Sequence, residues 1–238
     1  MAKLLGVDIG TSATKVIVVD EQGNILGAAA QEHPISYPQP GWSEQNPEDW
    51  WTSTVGATKR ACADAKCDAV DAISFSGQMH GAVLLDGTTA EAKPLRPAIL
   101  WNDQRTAEQC ETLTRSAGGR ASLIEMTGNP ALTGFTAPKL LWVRDHEPEI
   151  FNQTKQLLLP KDYVRFRMTG QFAMDVGDAS GTSLLDVAQR QWHQDLVRYL
   201  NIDPDILPPV VESVDQTGTL NESAAEQLGL QPGAAVIA

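Results

Sequence analysis

Long apolar runs, basic charge and cysteine are all scarce in this 238-residue chain. No stretch approaches the roughly 18 consecutive apolar residues of a membrane span, so we expect no membrane partner. The first residues enter a strand pattern directly, with neither a basic flank nor a cleavage site, which argues against a signal peptide. We therefore expect a cytoplasmic protein.

Basic residues are the scarcer charge, since 18 Lys and Arg stand against 30 Asp and Glu and give a net charge of −12. Binding to duplex nucleic acid needs clustered Lys and Arg to neutralise phosphates, so we expect no nucleic-acid partner. The negative charge does not exclude a nucleotide ligand, because one magnesium ion, one Lys and a few oriented N–H groups can hold phosphates on an acidic protein.

The three cysteines are Cys62, Cys67 and Cys110. An odd number without a secretory signal predicts a reducing compartment. Cys62 and Cys67 have no nearby histidine, which argues against zinc, and Cys62 is predicted to be a buried helix residue.

Hydrophobic periodicity predicts an α/β fold with a mixed sheet, because an N-terminal meander is followed by crossover connections. A helix is predicted to begin at Asn46 as N-cap, with Pro47 in its first position. The predicted strands are 4–9, 14–19, 25–31, 69–75, 82–85, 97–101, 157–159, 183–187 and 234–237. The other predicted helices are 106–117, 138–145, 160–168 and 191–200.

The turn after the first strand is the first candidate site. Asp8 ends that strand, Gly10, Thr11 and Ser12 form the turn, and Lys15 opens the next strand. Backbone N–H groups and hydroxyls in such a turn suit a phosphate, with a divalent ion between the phosphates and the acid. An ordinary β-hairpin turn is the alternative interpretation.

Seven short motifs, in order along the chain, resemble the FGGY carbohydrate kinases, which share the actin-like ATPase (ribonuclease H-like) fold. They are Gly6-Val7-Asp8-Ile9-Gly10-Thr11-Ser12 with Lys15; Gly41-Trp42-Ser43-Glu44-Gln45 with Pro47 and Trp50; Ser76-Gly77-Gln78-Met79-His80-Gly81; Trp101-Asn102-Asp103-Gln104-Arg105; Gly128-Asn129, Thr133-Gly134 and Pro138-Lys139; Leu159-Pro160-Lys161-Asp162-Tyr163; and Asp178-Ala179-Ser180-Gly181-Thr182. Each motif alone is weak, whereas seven in the family's order are specific.

The resemblance implies a kinase that uses ATP and Mg²⁺ to phosphorylate a sugar hydroxyl. The Gln78-Met79-His80 segment differs from that of glycerol kinases and resembles the branch of the family that converts D-xylulose to D-xylulose 5-phosphate. Alternatives are a kinase of the same family for another ketose or polyol, and a non-catalytic module that binds sugar or nucleotide. The resemblance also leaves room for a homodimer.

For the phosphate side of the site, the resemblance implies Asp8 as the residue that positions the metal and the transferring phosphoryl group. Gly10, Thr11 and Ser12 are expected to hold phosphate. Lys15 is either a further phosphate contact or a solvated strand residue.

For the sugar side, the resemblance implies Gln78, Met79, His80, Trp101 and Asp103 as substrate contacts. An amide, an imidazole and a carboxylate suit hydroxyls, and an aromatic ring suits the C–H face of a sugar. Core packing is the alternative for Trp101, and capping of the following helix is the alternative for Asp103.

Several other residues are expected to be structural. Asp162, Asp175 and Asp178 are interpreted as residues that hold loops near the cleft, and Arg105 as a brace for Asp103 or for the helix start. Trp50, Trp51, Trp142 and Trp192 lie on helical patterns and are expected in the core.

The resemblance implies that residues 1–238 form an N-terminal domain, with the sugar site and part of the phosphate site. The family's general base is an aspartate in a Gly-rich segment after a strand like 234–237, and no residue here matches it. We expect the C-terminal domain to lie outside this chain, and the chain alone to turn over little or nothing.

Overall fold

The computed structural model of the protein describes residues 2–238 and has a six-stranded mixed sheet at its centre. In spatial order its strands are β13 (Gln216–Thr219), β14 (Ala235–Ile237), β5 (Ala72–Gly77), β1 (Lys3–Ile9), β2 (Ala13–Asp20) and β3 (Ile25–Glu32). Strands β1, β2 and β3 pair antiparallel as the predicted meander, whereas β5 runs parallel to both β1 and β14. The predicted α/β class with a mixed sheet is confirmed.

Alternation along β1 decides which face of the sheet is covered. Leu5, Val7 and Ile9 are buried, whereas Leu4 is 38% exposed. Because side chains alternate between the faces of a strand, Asp8 shares the open face with Leu4. The sheet therefore presents its strand-end carboxylate on an accessible side.

Helix α1 (Pro47–Asp64) covers the buried face of the sheet. Its N-terminus is capped as predicted, because the Asn46 side chain accepts a hydrogen bond from the N–H of Glu48. A Cβ at Gly27 of β3 would overlap the carbonyl oxygen of Ala61, so glycine at this position allows the helix to lie directly on the strand. Cys62 is buried on this helix, as predicted.

The remaining helices are shorter and lie mostly in the second half of the chain. They are α2 (Ala107–Ser116), α3 (Arg120–Thr127), α4 (Thr136–His146), α5 (Pro148–Gln153), α6 (Pro160–Thr169), α7 (Val176–Ser180), α8 (Gln194–Tyr199) and α9 (Glu222–Leu228). Across residues 2–238, no helix combines the length and apolarity needed to cross a membrane.

Short strands pair two by two outside the main sheet. The pairs are β4 (Glu44–Gln45) with β7 (Ala98–Ile99), β6 (Val83–Leu85) with β8 (Gln156–Leu158), β9 (Met174–Asp175) with β12 (Val210–Val211), and β10 (Leu185–Asp186) with β11 (Gln191–Trp192). They connect the main sheet to a second apolar core, which includes Leu84, Ile99, Leu113, Leu140 and Leu157.

Three sequence predictions of local structure were wrong. One is the strand over 183–187, which is reduced to the two residues of β10. The predicted helix over 191–200 is divided, because the His193 side chain caps α8 by accepting from the N–H of Leu196. Trp192 therefore lies on β11 rather than on a helix, and its indole N–H donates to the carbonyl of Pro208. The predicted strand over 97–101 is reduced to the two residues of β7, which leaves Trp101 outside it.

Candidate active site

The two loops of the candidate site leave the ends of neighbouring parallel strands. The phosphate loop, defined here as residues 10–12, follows β1, and the sugar segment, residues 78–80, follows β5. The backbone N–H of Gln78 donates to the carbonyl of Ile9 at 2.7 Å, so the two loops are adjacent. Ligand crevices in open α/β sheets form at such carboxyl ends.

The phosphate loop is a tight hairpin between β1 and β2. The N–H of Gly10 donates to the carbonyl of Ala13 at 3.0 Å, and the carbonyl of Ser12 accepts from the N–H of His33 at 3.1 Å. The hairpin geometry predicted as one interpretation of this turn is therefore present. Phosphate binding by Gly10, Thr11 and Ser12 stays a prediction.

Asp8 faces an open pocket of about 370 Å³ on the uncovered side of the sheet. One carboxylate oxygen accepts from the hydroxyl of Ser76 at 2.9 Å. Lys15 stands directly across the β1–β2 ladder from Asp8 and lines the same pocket. The pocket is thus lined by one carboxylate and one exposed ammonium group.

The donor set at Asp8 fits a magnesium ion that is held mainly by a nucleotide. Among residues 2–238 no three His, Cys, Asp or Glu side chains are grouped as a metal site. Mg²⁺ in kinases takes one or two carboxylates and completes its coordination with phosphate oxygens and water. A single half-buried carboxylate beside a phosphate loop meets that requirement.

Gln78 is largely buried and its orientation is fixed. Its side chain is 8% exposed, and its Nε2 donates to Oε1 of Gln45 at 2.8 Å. Its Oε1 has no hydrogen-bond partner in the part of the chain that the structure describes. Met79 follows and is half-buried. The sugar segment therefore begins with an unsatisfied amide oxygen.

His80 is held in a single orientation from both its ring and its backbone. Its Nδ1 lies 3.0 Å from the carbonyl oxygen of Gly181, which can only accept, so Nδ1 carries the proton in the neutral ring and Nε2 is left as an acceptor. Its carbonyl accepts from Lys139 Nζ at 2.8 Å and from the Thr136 hydroxyl at 3.2 Å. Its φ of +69° lies in the left-handed region, a conformation that these contacts maintain.

Burial sets the protonation of both His80 and Lys139. The pKa of His80 lies below its ordinary value of 6.5, because burial and the nearby Lys139 disfavour the charged ring. Burial also lowers the pKa of Lys139 to about 7, although the Asp103 carboxylate opposes this shift. At neutral pH the imidazole is therefore neutral and keeps its acceptor nitrogen.

Trp101 is exposed and contacts the phosphate loop. Its side chain is 46% exposed, and its indole N–H donates to the hydroxyl of Thr11 at 3.1 Å. This exposure excludes the core-packing alternative. The ring lies beside the phosphate loop, and a sugar contact by Trp101 stays a prediction.

Asp103 is fully buried, with its hydrogen bonds already formed inside the protein. It accepts from the N–H of Ser43 at 2.7 Å and from the backbone and guanidinium of Arg105. Arg105 in turn lies 3.6 Å from the ring centroid of Trp42 and bonds Glu44 at 2.7 Å. Arg105 therefore braces Asp103, as predicted. The capping alternative was wrong, because α2 follows Thr106 and has no side-chain hydrogen bond at its N-terminus. A sugar contact by Asp103 stays a prediction.

A buried cluster of acids surrounds Lys161. Its Nζ lies 2.8 Å from Asp175, 3.2 Å from Asp162 and 3.7 Å from Asp178. Asp175 also caps α7 by accepting from the N–H of Gly177. Burial raises the pKa of Asp178 to about 7. These contacts fit the loop-holding role that the sequence predicts for the three acids.

Two residues of the site were not among the sequence predictions, although both lie in motifs quoted there. Ser76 bonds Asp8, and Gln45 bonds both loops through its side chain. Their signal was a polar residue at a strand end and an amide within the Gly41-Trp42-Ser43-Glu44-Gln45 motif. Neither pattern indicates by itself which distant group it will contact.

The sequence model of the N-terminal domain of the FGGY family of carbohydrate kinases matches residues 3–238. This chain belongs to that family. The resemblance drawn from the seven motifs is therefore confirmed, and with it the actin-like fold of FGGY sugar kinases.

Individual FGGY relatives match along almost the whole chain. It is 46% identical over 226 residues to a xylulose kinase of Escherichia coli, covering 95% of this chain and 46% of that protein. It is 45% identical over 232 residues to a xylulose kinase of Bacillus subtilis, covering 97% and 46%. A crystal structure of a xyloylose kinase from Brucella ovis superposes with a TM-score of 0.90 at 39% identity, covering 99% and 48%. The chain thus spans a little under half the length of these FGGY relatives.

Proposed function

We propose that this chain is the sugar- and phosphate-binding half of an ATP-dependent kinase that converts D-xylulose to D-xylulose 5-phosphate. The observation that carries the proposal is the adjacency of the phosphate loop and the sugar segment, through the 2.7 Å hydrogen bond from Gln78 to Ile9. The choice of D-xylulose is supported by the xylulose kinases among the relatives.

The sugar would lie against the exposed ring of Trp101, with hydroxyls on Gln78 and His80. His80 Nε2 is an acceptor in the neutral ring and would receive a hydroxyl proton, and Gln78 Oε1 is an acceptor without a partner among residues 2–238. Two acceptors at fixed positions select a ligand by its hydroxyl pattern, because a ligand without the matching hydroxyl leaves them unpaired.

The nucleotide phosphates would lie on residues 10–12, with Lys15 and Asp8 beside them. Carbohydrate kinases of this family use ATP. Bound Mg²⁺ would neutralise charge on the transferring phosphoryl group. Asp8 would hold the ion, and Ser76 orients Asp8 through the hydrogen bond to its carboxylate.

We further propose that residues 1–238 act as one domain and that the general base comes from the part of the relatives that this chain does not match. Neither Asp103 nor Asp162 is assigned as the base, because both carboxylates are buried and already hydrogen-bonded inside the protein. Asp8 is assigned to the metal. The chain alone would then bind sugar without rapid phosphoryl transfer.

The test is sugar-dependent ADP release by the natural full-length protein that carries this chain, and by the 238-residue chain alone. The sugar panel contains D-xylulose, D-ribulose, L-ribulose, glycerol and gluconate. We expect activity only in the longer protein, with D-xylulose as the best substrate. Another best sugar would overturn the substrate assignment, absence of sugar-dependent release would favour a binding module, and robust turnover by the chain alone would overturn the domain proposal.

A further inference from the structure

The side chain of Gln45 lies between the two loops and bonds both. It is 2% exposed. Its Nε2 donates to the carbonyls of Thr11 at 2.7 Å and Pro34 at 3.1 Å and lies 3.0 Å from Nδ1 of His33. Its Oε1 accepts from the indole of Trp50 at 2.9 Å and the amide of Gln78 at 2.8 Å. One buried amide therefore contacts the phosphate loop on one side and the sugar segment on the other.

The orientation of the Gln45 amide is determined by its partners. The Trp50 indole can only donate, and the Thr11 and Pro34 carbonyls can only accept, so Oε1 must face Trp50 and Nε2 must face the phosphate loop. Because Oε1 of Gln45 accepts, the Gln78 group that faces it must be the NH₂. Gln45 thereby fixes the orientation of the Gln78 amide, whose Oε1 has no hydrogen-bond partner among residues 2–238.

We propose that Gln45 is a positioning residue that couples the phosphate loop to the sugar segment, so that each loop is ordered for its ligand by the state of the other. The proposal rests on the function proposed above for these two loops. The Gln45 amide offers a donor to Thr11 and an acceptor to Gln78 at once. A change in either loop must therefore alter the hydrogen bonding of the other through this side chain.

Three variants test separately the Gln45 contact with Thr11 and the Gln45 contact with Gln78. In Gln45→Met both contacts are lost. In Gln45→Glu, above pH 7, the acceptor for Gln78 and Trp50 remains, but a carboxylate oxygen replaces the donor to Thr11, which repels the carbonyl. Trp50→Phe is the matched control, because it removes one hydrogen bond to the same amide oxygen and the Trp50 indole forms no hydrogen bond with either loop.

The first readout is backbone amide exchange in the 238-residue chain, which requires no catalytic activity. The reporters are the N–H groups of Gly10 and His33 for the phosphate loop and that of Gln78 for the sugar segment, each hydrogen-bonded in the structure. We expect exchange at all three to rise about tenfold in Gln45→Met, as expected for one lost buried hydrogen bond. In Gln45→Glu only the Gly10 and His33 signals should rise, and in Trp50→Phe none of the three.

The second readout is kinetic, in the natural full-length protein. Gln45→Met should raise the KM for sugar and for nucleotide together, and the dependence of sugar affinity on bound nucleotide should be lost. A purely structural role would lower the yield of folded protein and leave that dependence unchanged.

Equal exchange patterns in Gln45→Met and Trp50→Phe, or a rise confined to one loop in Gln45→Met, would overturn the coupling. If full-length protein shows no sugar-dependent ADP release while the exchange pattern holds, the proposed function fails and the coupling stands. If Gln45→Met does not fold, the comparison of Gln45→Glu with Trp50→Phe decides. Only the glutamate variant should raise amide exchange in the phosphate loop.

Discussion

His80 connects the protonation of a single ring to sugar binding. Its pKa lies below 6.5, because burial and Lys139 disfavour the charged form. Above that pKa, Nε2 accepts a hydroxyl proton; below it, Nε2 carries a proton and can only donate. We therefore expect the His80 contribution to D-xylulose affinity to be lost as the pH falls below about 6.5. Between pH 8 and that point Lys139 titrates, since burial lowers its pKa to about 7 and its Nζ bonds the His80 carbonyl. Binding titrations across this range measure it.

The control for this pH dependence is His80→Gln, which keeps an amide acceptor but cannot titrate. It should bind more weakly at pH 7.5 and show no further loss on acidification. If the variant keeps the native pH dependence, another group such as Asp178, with its pKa raised to about 7 by burial, is responsible instead.

Gly181 supports the His80 ring by having no side chain. Its φ of −82° is open to any residue, but a Cβ there would overlap Cε1 of His80 and lie 2.5 Å from Nδ1. We expect Gly181→Ala to turn the imidazole away from Gly181 and to weaken sugar binding about tenfold, the effect of one misplaced hydrogen bond.

The matched control is Gly87→Ala, whose Cβ would lie 3.4 Å from that of Ala92, an ordinary contact. It should leave sugar affinity unchanged. Calorimetric titration of both variants makes the comparison, and unaltered affinity in Gly181→Ala would show that the ring does not contact sugar.

At the scale of an element, α1 illustrates what local sequence can predict. Its start was predicted because an N-cap and a first-position proline are both local signals, each confirmed in the structure. By contrast α9 was not predicted, although Asn221 caps it and Gly229 ends it, because a seven-residue helix has too few turns to show periodicity.

The cap of α1 has a measurable contribution to stability. In Asn46→Ala the N–H of Glu48 loses its acceptor, so we expect the free energy of unfolding to fall by about 1 kcal/mol. Asn46→Asp keeps an acceptor and adds favourable charge at the helix N-terminus, so it should restore that loss. Urea unfolding of the three proteins measures the difference, and equal stability of Asn46→Ala and the native chain would contradict the capping account.

At the scale of the whole molecule, the sequence predicted candidate site residues but not the distant groups that they contact. Asp103 bonds the N–H of Ser43, 60 positions away, and Trp101 bonds Thr11, 90 positions away. Periodicity describes neighbours along the chain and contains no information on such pairs. Whether Asp103 serves the sugar or the fold was therefore not decidable from local pattern.

The central claim is that sugar binds between the phosphate loop and the sugar segment of this chain. The most direct test is a D-xylulose titration of the 238-residue chain, monitored by the nuclear magnetic resonance chemical shifts of the tryptophan indole N–H groups. The account predicts a saturable shift at Trp101, which is lost in His80→Ala, and none at Trp51, whose indole bonds Gln227 on α9. An unchanged Trp101 signal at millimolar sugar, or a shift that His80→Ala leaves intact, would contradict the account.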